Sequence, residues 1–471
     1  MNERIQGNRE GTLKPEGHAP GTRLVYGQSL STELNRISET AKQYPTYTFR
    51  TVAHLINVEL LTESFRQLRK DAAAGVDEIT ARDYQKNLQR NLEDLHRRLR
   101  EGRYRAQSLR RVYIDKEDGK KRPLSIPALE DKVVQKATAD ILSRIYEQDF
   151  LSCSFGYRPR RNAHDAVGAV WQKITLGKAS YVLEADIRDY FGSIVRKELK
   201  QMLQKRIADQ AVLRLIGKWL QVGVVEDGKL LMSEDGTYQG SVISPLLANV
   251  YLHEVLDLWV EQIVKPRMRG EISLCRFADD FVVCFQYRSD AERFQQVLPK
   301  RFAKYGLTLH PDKTRLLAFG RFAEQEARRT GRRKPETFDF LGFTFYCGKT
   351  REGKFSVKLK TKSKRLGRGL LRVAAWCRKN RHQPLSEQRA RLAEVLQGHY
   401  QYYGLRSNAR SLAKFFQGVR SLWRKWLGRR SRSTAVSWGK FEKILKKYPL
   451  PRPRITQGQR RNQLMLFGEF A

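Results

Sequence analysis

Leu274-Cys275-Arg276-Phe277-Ala278-Asp279-Asp280-Phe281-Val282-Val283-Cys284-Phe285 is the segment that decides the fold of this chain. Two apolar runs flank a pair of adjacent acids, the pattern of a β-hairpin whose tight turn holds Asp279 and Asp280 out of the core. An Asp-Asp pair by itself is an ordinary turn. Acids enclosed by core strands are costly, however, unless something neutralises them. Bound divalent cations satisfy that arrangement, and Mg²⁺ prefers carboxylate and phosphate oxygens.

A second apolar run, Tyr181-Val182-Leu183-Glu184-Ala185-Asp186-Ile187, delivers another acid at its end. Should Asp186 arrive on a neighbouring strand, the three carboxylates complete a two-metal site. One ion would acidify a primer 3′-hydroxyl and the other would hold a triphosphate and its leaving pyrophosphate.

The charge balance points to a polyanionic partner. The 471 residues carry 90 Lys and Arg against 50 Asp and Glu, a formal net charge of +40. Self-repulsion of that size opposes a compact state unless a polyanion neutralises it, and nucleic acid is the leading candidate. Residues 349–471 hold 32 basic side chains against five Glu and no Asp, whereas the preceding 348 residues carry only +13. The last quarter therefore reads as a module that grips nucleic acid, and the front three-quarters as the catalytic body.

With 40% hydrophobic and 10% aromatic residues the chain can build real cores, and its length suggests two to four domains. The five cysteines are scattered, the closest pair nine positions apart, so neither a zinc finger nor a Cys/His nuclease module is expected, and a reducing cytosol is. No run is long and apolar enough for a membrane span or a signal peptide.

Residues 1–48, rich in Gly, Pro, Thr and charge, read as a poorly ordered leader. Leu60, Leu61, Phe65 and Leu68 recur at helical spacing, as do Leu88, Leu92, Leu95 and Leu99, with a break at Gly75-Val76-Asp77. A hairpin follows, Arg111–Ile114 and Pro123–Ile126 around a turn at Gly119. Leu252, Val255, Leu256 and Trp259 mark a core-facing helix after Ser244-Pro245. The expected divisions are an N-terminal extension and fingers over 49–180, a palm over 181–347, a thumb start over 348–390, an RNA-binding helical domain over 391–455 and a basic tail over 456–471.

The hairpin RFADDFVV is similar to the polymerase signature of reverse transcriptases. Six further blocks fall in that family's order: KRPLSIPALEDKVVQ (121–135), FGYRPRRNAHDAV (155–167), EADIRDYFGSI (184–194), GTYQGSVISPLLANVYLHEVLD (236–257), GLTLHPDKTRLLAFG (306–320) and FDFLGFTF (338–345). With LQGHYQYYGL (396–405) and its following Trp- and Arg-rich helices, the set resembles the group II intron-encoded reverse transcriptases, or maturases, from about residue 50 to 455. The resemblance implies an α+β right-hand polymerase with fingers, an antiparallel-sheet palm, a helical thumb and a basic helical maturase domain.

It also implies residue roles. Asp186, Asp279 and Asp280 would be catalytic and, with Ile187, would hold two Mg²⁺ ions. Lys116 and Arg122 would clamp incoming phosphates, Phe191 would exclude a 2′-hydroxyl, Gln239 would sit beside the nucleotide, and Lys313 would protonate pyrophosphate or make a salt bridge. Candidate RNA contacts are Arg158, Arg160, Arg161, Tyr400, Tyr402, Tyr403, Arg406, Arg424, Lys425, Arg429 and Arg430.

Two departures stand out. Where the family pattern is Thr-Pro-Gln-Gly-Gly, this chain has Thr237-Tyr238-Gln239-Gly240-Ser241, which frees the loop at one position and restricts it at another. Phe277 also replaces the commoner Tyr.

The implied function is RNA-directed DNA synthesis joined to binding and splicing of group II intron RNA. Its partners would be that RNA, a DNA target and primer, and dNTPs. A bacterial cytoplasmic, nucleoid-associated location is expected, without a membrane; the sequence sets no oligomeric state. Two other readings share the same palm: an intron-independent enzyme of DNA repair or phage defence, and an RNA-binding splicing cofactor with weak polymerase activity.

Overall fold

Strand-forming and helix-forming segments alternate along the chain, and the computed structural model describes residues 28–115, 121–226, 228–232, 235–431 and 435–456. Residues 1–27, Lys116 and residues 457–471 lie outside the described residues. Two compact units are formed, Arg23–Glu336 and a unit of the residues from Thr337 onward.

In the first unit, β1 (Leu109–Asp115) and β2 (Lys121–Ile126) pair antiparallel, with Val112 opposite Leu124. The next strand, β3 (Tyr181–Asp186), belongs to a separate sheet. Short β4 (Val224–Glu226) runs parallel to β1 and pairs with β5 (Lys229–Leu231), giving the order β2-β1-β4-β5. The second sheet adds β6 (Ile272–Phe277), β7 (Asp280–Phe285) and β8 (Arg315–Ala318) in the antiparallel order β6-β7-β3-β8.

That second sheet is the palm. Its central strands are buried on both faces: Phe281, Val283 and Phe285 join the main core, while Val282 and Cys284, pointing the other way, are also buried. A strand covered on both sides needs a near-continuous apolar run, as FVVCF has. The helix Leu129–Asp149 runs through the main core with Val133, Val134, Ala137, Ile141 and Leu142 all buried. The helix Ser244–Leu252, started by Pro245 in its first turn, is buried over most of its surface. It continues in π geometry over His253–Asp257 and Trp259–Val264, with Leu252, Val255, Leu256 and Trp259 facing the core as their spacing predicts.

The N-terminal leader is shorter than composition suggests. Gln28–Gln43 forms a helix whose Leu30 and Leu34, one turn apart, are buried. The segment after it is tied down by Arg206, which donates to the carbonyls of Ala41, Tyr44, Pro45 and Tyr47, and by Asp209, which accepts from Val52 and Ala53. Composition missed this because the anchors lie some 160 positions away in the sequence.

The second unit opens with a three-stranded antiparallel sheet, β9 (Phe338–Phe340), β10 (Phe343–Lys349) and β11 (Phe355–Thr361). FDFLGFTF thus groups with the C-terminal unit and not with the palm, where an expected boundary at 347 had put it. Four helices follow: Ser363–Lys379, Leu385–Tyr403, Ala409–Leu427 and Trp438–Lys447. Their core contains Val373, Cys377, Leu396, Phe415, Trp423 and Phe441. Among the described residues no helix is long and apolar enough to cross a membrane.

Candidate active site

The hairpin connecting β6 to β7 pairs Phe277 with Asp280, leaving Ala278 and Asp279 as a two-residue turn. Ala278 takes φ +57°, a left-handed conformation in which a side chain is strained. The turn is therefore held by its surroundings. Gly156 lies against it so closely that a Cβ there would sit 2.3 Å from the Ala278 nitrogen, so only glycine fits. Behind it Arg276, fully buried, grips Asp257 with two hydrogen bonds of 2.8 and 2.6 Å. The same guanidinium donates to Asn249 Oδ1 at 2.9 Å, Ser154 Oγ at 2.8 Å and the Ala278 carbonyl at 3.1 Å. Asn249 in turn donates to the Gly156 carbonyl.

Sequence reasoning passed over Arg276, Asp257, Asn249 and Ser154. One signal was available: an arginine inside an apolar strand must find a buried acid, and Asp257 interrupts the apolar face of the helical stretch that follows Ser244-Pro245.

β3 brings the third carboxylate. Asp186 stands directly opposite Asp280 in the β3–β7 ladder, so the three aspartates cluster at one end of the palm sheet. Desolvation first, and then the charges of Asp186, Asp279 and Glu184, push the Asp280 carboxyl up to about 7. Burial and the neighbouring Asp186 also raise Asp279.

Lys313 Nζ lies 2.5 Å from Asp186 Oδ2, the salt bridge that was one of its two expected roles. Burial alone would lower this lysine's pKa, but the hydrogen bond to Asp186 and the three aspartate charges hold it above its ordinary value. Its side chain is 58% exposed, so the pair contributes little to stability. Among the described residues no three His, Cys, Asp or Glu side chains are drawn together as a ready metal cage. The donor chemistry nevertheless fits a hard divalent cation, because Asp279 and Asp280 are carboxylates raised by burial and by neighbouring acids.

Ile187 continues β3 and bridges to Leu309. The hydrogen bonds across that bridge are made by the Asp186 carbonyl, accepting from His310, and by the Arg188 N–H. Strand alternation therefore turns the Ile187 carbonyl the other way, toward the β7 side.

Three of the expected nucleotide residues are linked through one loop. Gly236 and Thr237 N–H groups donate to the carbonyls of Ile194 and Phe191, and Ser125 of β2 donates to the Gln239 carbonyl at 2.7 Å. This links Phe191, Gln239 and the strand carrying Arg122. Arg122 is close enough to Asp279 for its charge to favour the ionised carboxylate. Phe191 is half-buried beside Tyr190.

The loop departures behave differently from the expectation. Tyr238 does not free the loop: it is buried with Leu109 and Val224, and its hydroxyl donates to the Val222 carbonyl. Ser241 turns inward, its hydroxyl 2.8 Å from Gln135 Oε1, which also accepts from Val242 N–H. Gly240 keeps φ +109° against the Ser125 backbone.

Several expected RNA contacts are occupied internally. Arg158 is buried, paired with Glu147 and bonded to the carbonyls of Leu151 and Ser154, so it braces the chain and presents no surface. Arg161 donates to the carbonyls of Ser152 and Ser154. Tyr400 is buried and donates to Pro451, because its helix uses that face as core. Tyr402 donates to the Leu341 carbonyl, and Tyr403 packs on Phe343 and His399. Arg424 donates to Val436 while covering Trp438, and Arg430 donates to Arg381 and Gln383. Arg160, Arg406, Lys425 and Arg429 are exposed, the last two beside the Trp426 ring.

A four-stranded antiparallel palm with two aspartates in a hairpin turn, opposite a third on the adjacent strand, is the arrangement of right-hand nucleic-acid polymerases, and the fold is of that class. Residues 114–345 match the reverse transcriptase (RNA-dependent DNA polymerase) family, and the palm-bearing part of the chain belongs to it. Several of the relatives it resembles are named as intron proteins. The group II intron-encoded protein LtrA of Lactococcus lactis subsp. cremoris is 34% identical over 232 residues, 49% of this chain and 38% of that protein. Protein YkfC of Escherichia coli K12 is 32% identical over 237 residues, 44% of this chain and 62% of its partner in the alignment. An uncharacterized 91 kDa protein in the cob intron of Schizosaccharomyces pombe is 38% identical over 154 residues, 33% of this chain and 19% of that protein. The matches thus span less than two thirds of each relative's length.

Proposed function

We propose that this protein is an RNA-directed DNA polymerase that binds group II intron RNA, assists its splicing and copies it into DNA during intron mobility. The observation that carries the reading is the in-register pairing of Asp186 with Asp280, next to Asp279 in a braced turn. Reverse transcriptases generally use divalent metal ions; here Asp186, Asp279, Asp280 and the Ile187 carbonyl would hold two Mg²⁺. When bound, these ions would supply the charge that activates a primer 3′-hydroxyl and stabilises the triphosphate.

The protein's own groups do the rest. Arg122, close enough to Asp279 for its charge to act on that carboxyl, would grip triphosphate oxygens through its planar fork. The Phe191 ring would sit under the sugar and exclude a 2′-hydroxyl by volume. Lys313, held protonated by the aspartates, would donate a proton or neutralise charge at the leaving group. Lys116 belongs to the same proposal but lies outside the described residues.

Intron RNA, a DNA target with its primer and dNTPs are the proposed partners. A cytoplasmic, nucleoid-associated setting suits them. Net charge beyond Lys349 supports RNA binding by the C-terminal unit, with Arg406, Lys425 and Arg429 as its exposed contacts.

The test is primer extension on an RNA template with Mg²⁺ and dNTPs. Extension is expected from the wild type and none from Asp279→Asn/Asp280→Asn, with RNA affinity kept. Equal synthesis by that double variant would overturn the assignment.

A further inference from the structure

At the end of the palm sheet remote from the aspartates, a cavity of about 550 Å³ opens between the start of β6 and the end of β7. Lys173, Lys178, Lys265 and Arg269 line it, against a single carboxylate, Glu271. Its buried floor includes Cys284, whose thiol burial pushes up to about 12, and Lys173 is the charge acting against that rise. Lys173 is thus close enough to the floor for its charge to be felt there.

Two of the four cations are partly neutralised: Lys178 pairs with Glu271 at 3.0 Å and Lys265 with Glu261 at 2.5 Å. Among the described residues the side chains of Lys173 and Arg269 make no ion pair, although the Asp290 carboxylate accepts from the backbone N–H groups of Arg269 and Gly270. Beside the rim, Tyr287 is 45% exposed, and the Arg269 guanidinium stands 6.0 Å from its ring. Asp280 begins β7 and Gln286 follows its end, so at ~3.3 Å per residue the cavity lies about 20 Å from the catalytic carboxylates.

We propose that this cavity is a second nucleic-acid site, taking the phosphodiester backbone of a single strand while a base stacks on Tyr287. Excess cations at an open mouth suit phosphate oxygens, and an exposed ring flanked by arginine suits an unpaired base. A small apolar ligand finds no deep apolar wall here, and a duplex has no use for the aromatic face. The site would hold a flanking strand outside the catalytic groove. It rests on nucleic acid being the ligand, as in the proposed function, and not on catalysis.

The experiment measures fluorescence anisotropy of labelled 20-nucleotide RNA and DNA strands of one sequence, over a salt series, with the full chain. In Lys173→Glu/Arg269→Glu the salt slope should fall by about 1.4, from ~0.7 per phosphate contact, which is about 25-fold in affinity at 0.1 M salt. Tyr287→Ala should weaken binding about fivefold or more. Equal losses for RNA and DNA assign the phosphate, and losses confined to RNA assign the ribose as well; either supports the site. Extension from a short annealed primer at saturating concentrations should be unchanged.

Wild-type affinity and slope in the double variant would overturn the proposal. So would an equal loss in Lys200→Glu/Arg214→Glu, two exposed cations elsewhere in the same unit, since bulk charge would then explain everything. Absence of extension by the wild type would refute the polymerase reading while leaving these binding outcomes intact.

Discussion

Removing the carboxylate of Asp257 should be among the most damaging single changes in the chain. Its side chain and that of Arg276 are both 0% exposed and share two hydrogen bonds, so Asp257→Ala leaves a guanidinium in the core with no counter-charge. Breaking a buried pair in this way costs about 3–5 kcal/mol. At roughly 2 °C per kcal/mol for a unit of this size, the melting temperature should fall by on the order of 10 °C. Activity should fall further than stability explains, because Arg276 also donates to the carbonyl of the left-handed Ala278 in the catalytic turn. Arg276→Met/Asp257→Leu separates the two effects. Well-packed apolar replacements of a buried pair can be neutral in stability, so the double variant should regain most of the melting temperature. It should not regain extension, since the Ala278 carbonyl still lacks its donor. Calorimetry and primer extension at a temperature where all variants are folded read the two quantities. A loss below about 1 kcal/mol in Asp257→Ala, or full extension by the double variant, would refute the bracing argument.

The raised Asp280 carboxyl makes a pH prediction. Between about pH 4, where an unfolded aspartate titrates, and about 7, the native metal-free protein holds a proton that the unfolded chain has released. Its stability should therefore decline as pH rises through that window, and Mg²⁺ or Asp280→Asn should flatten the decline in melting curves. Phe191→Val should raise ribonucleotide incorporation at least tenfold relative to deoxynucleotide, measured by single-nucleotide insertion; an unchanged ratio removes the gate role. Reversing Arg406, Lys425 and Arg429 to Glu should weaken structured-RNA binding and reduce its salt slope by about 2, or ~0.7 per contact, without altering the palm's melting transition.

How much of this was legible in advance differs by residue. Apolar runs on both sides of Asp279-Asp280 announced the hairpin, since two-sided burial demands continuous apolar runs and a turn demands their interruption. Lys313 was readable as a salt bridge but not as the partner of Asp186 in particular, 127 positions away. Tyr238 and Ser241 looked like losses of loop geometry. In the folded chain one fills a small core and the other satisfies Gln135, an exchange visible only once non-local neighbours are known. Aromatic and basic composition over 396–430 suggested an RNA surface, yet Tyr400 is core. Composition cannot say which way a helix faces when arginines and aromatics alternate around it.

By itself the sequence determined the polymerase class, the three carboxylates and the basic C-terminal quarter, because each is written in local pattern or in charge. Only the tertiary structure decided that Asp186 faces Asp280 across a ladder, that Arg276 and Asp257 clamp the strained turn from beneath, and that four cations meet at the far end of the sheet. Those are pairings between segments tens to hundreds of residues apart. Their partners are selected by packing and desolvation in three dimensions, which no local pattern encodes.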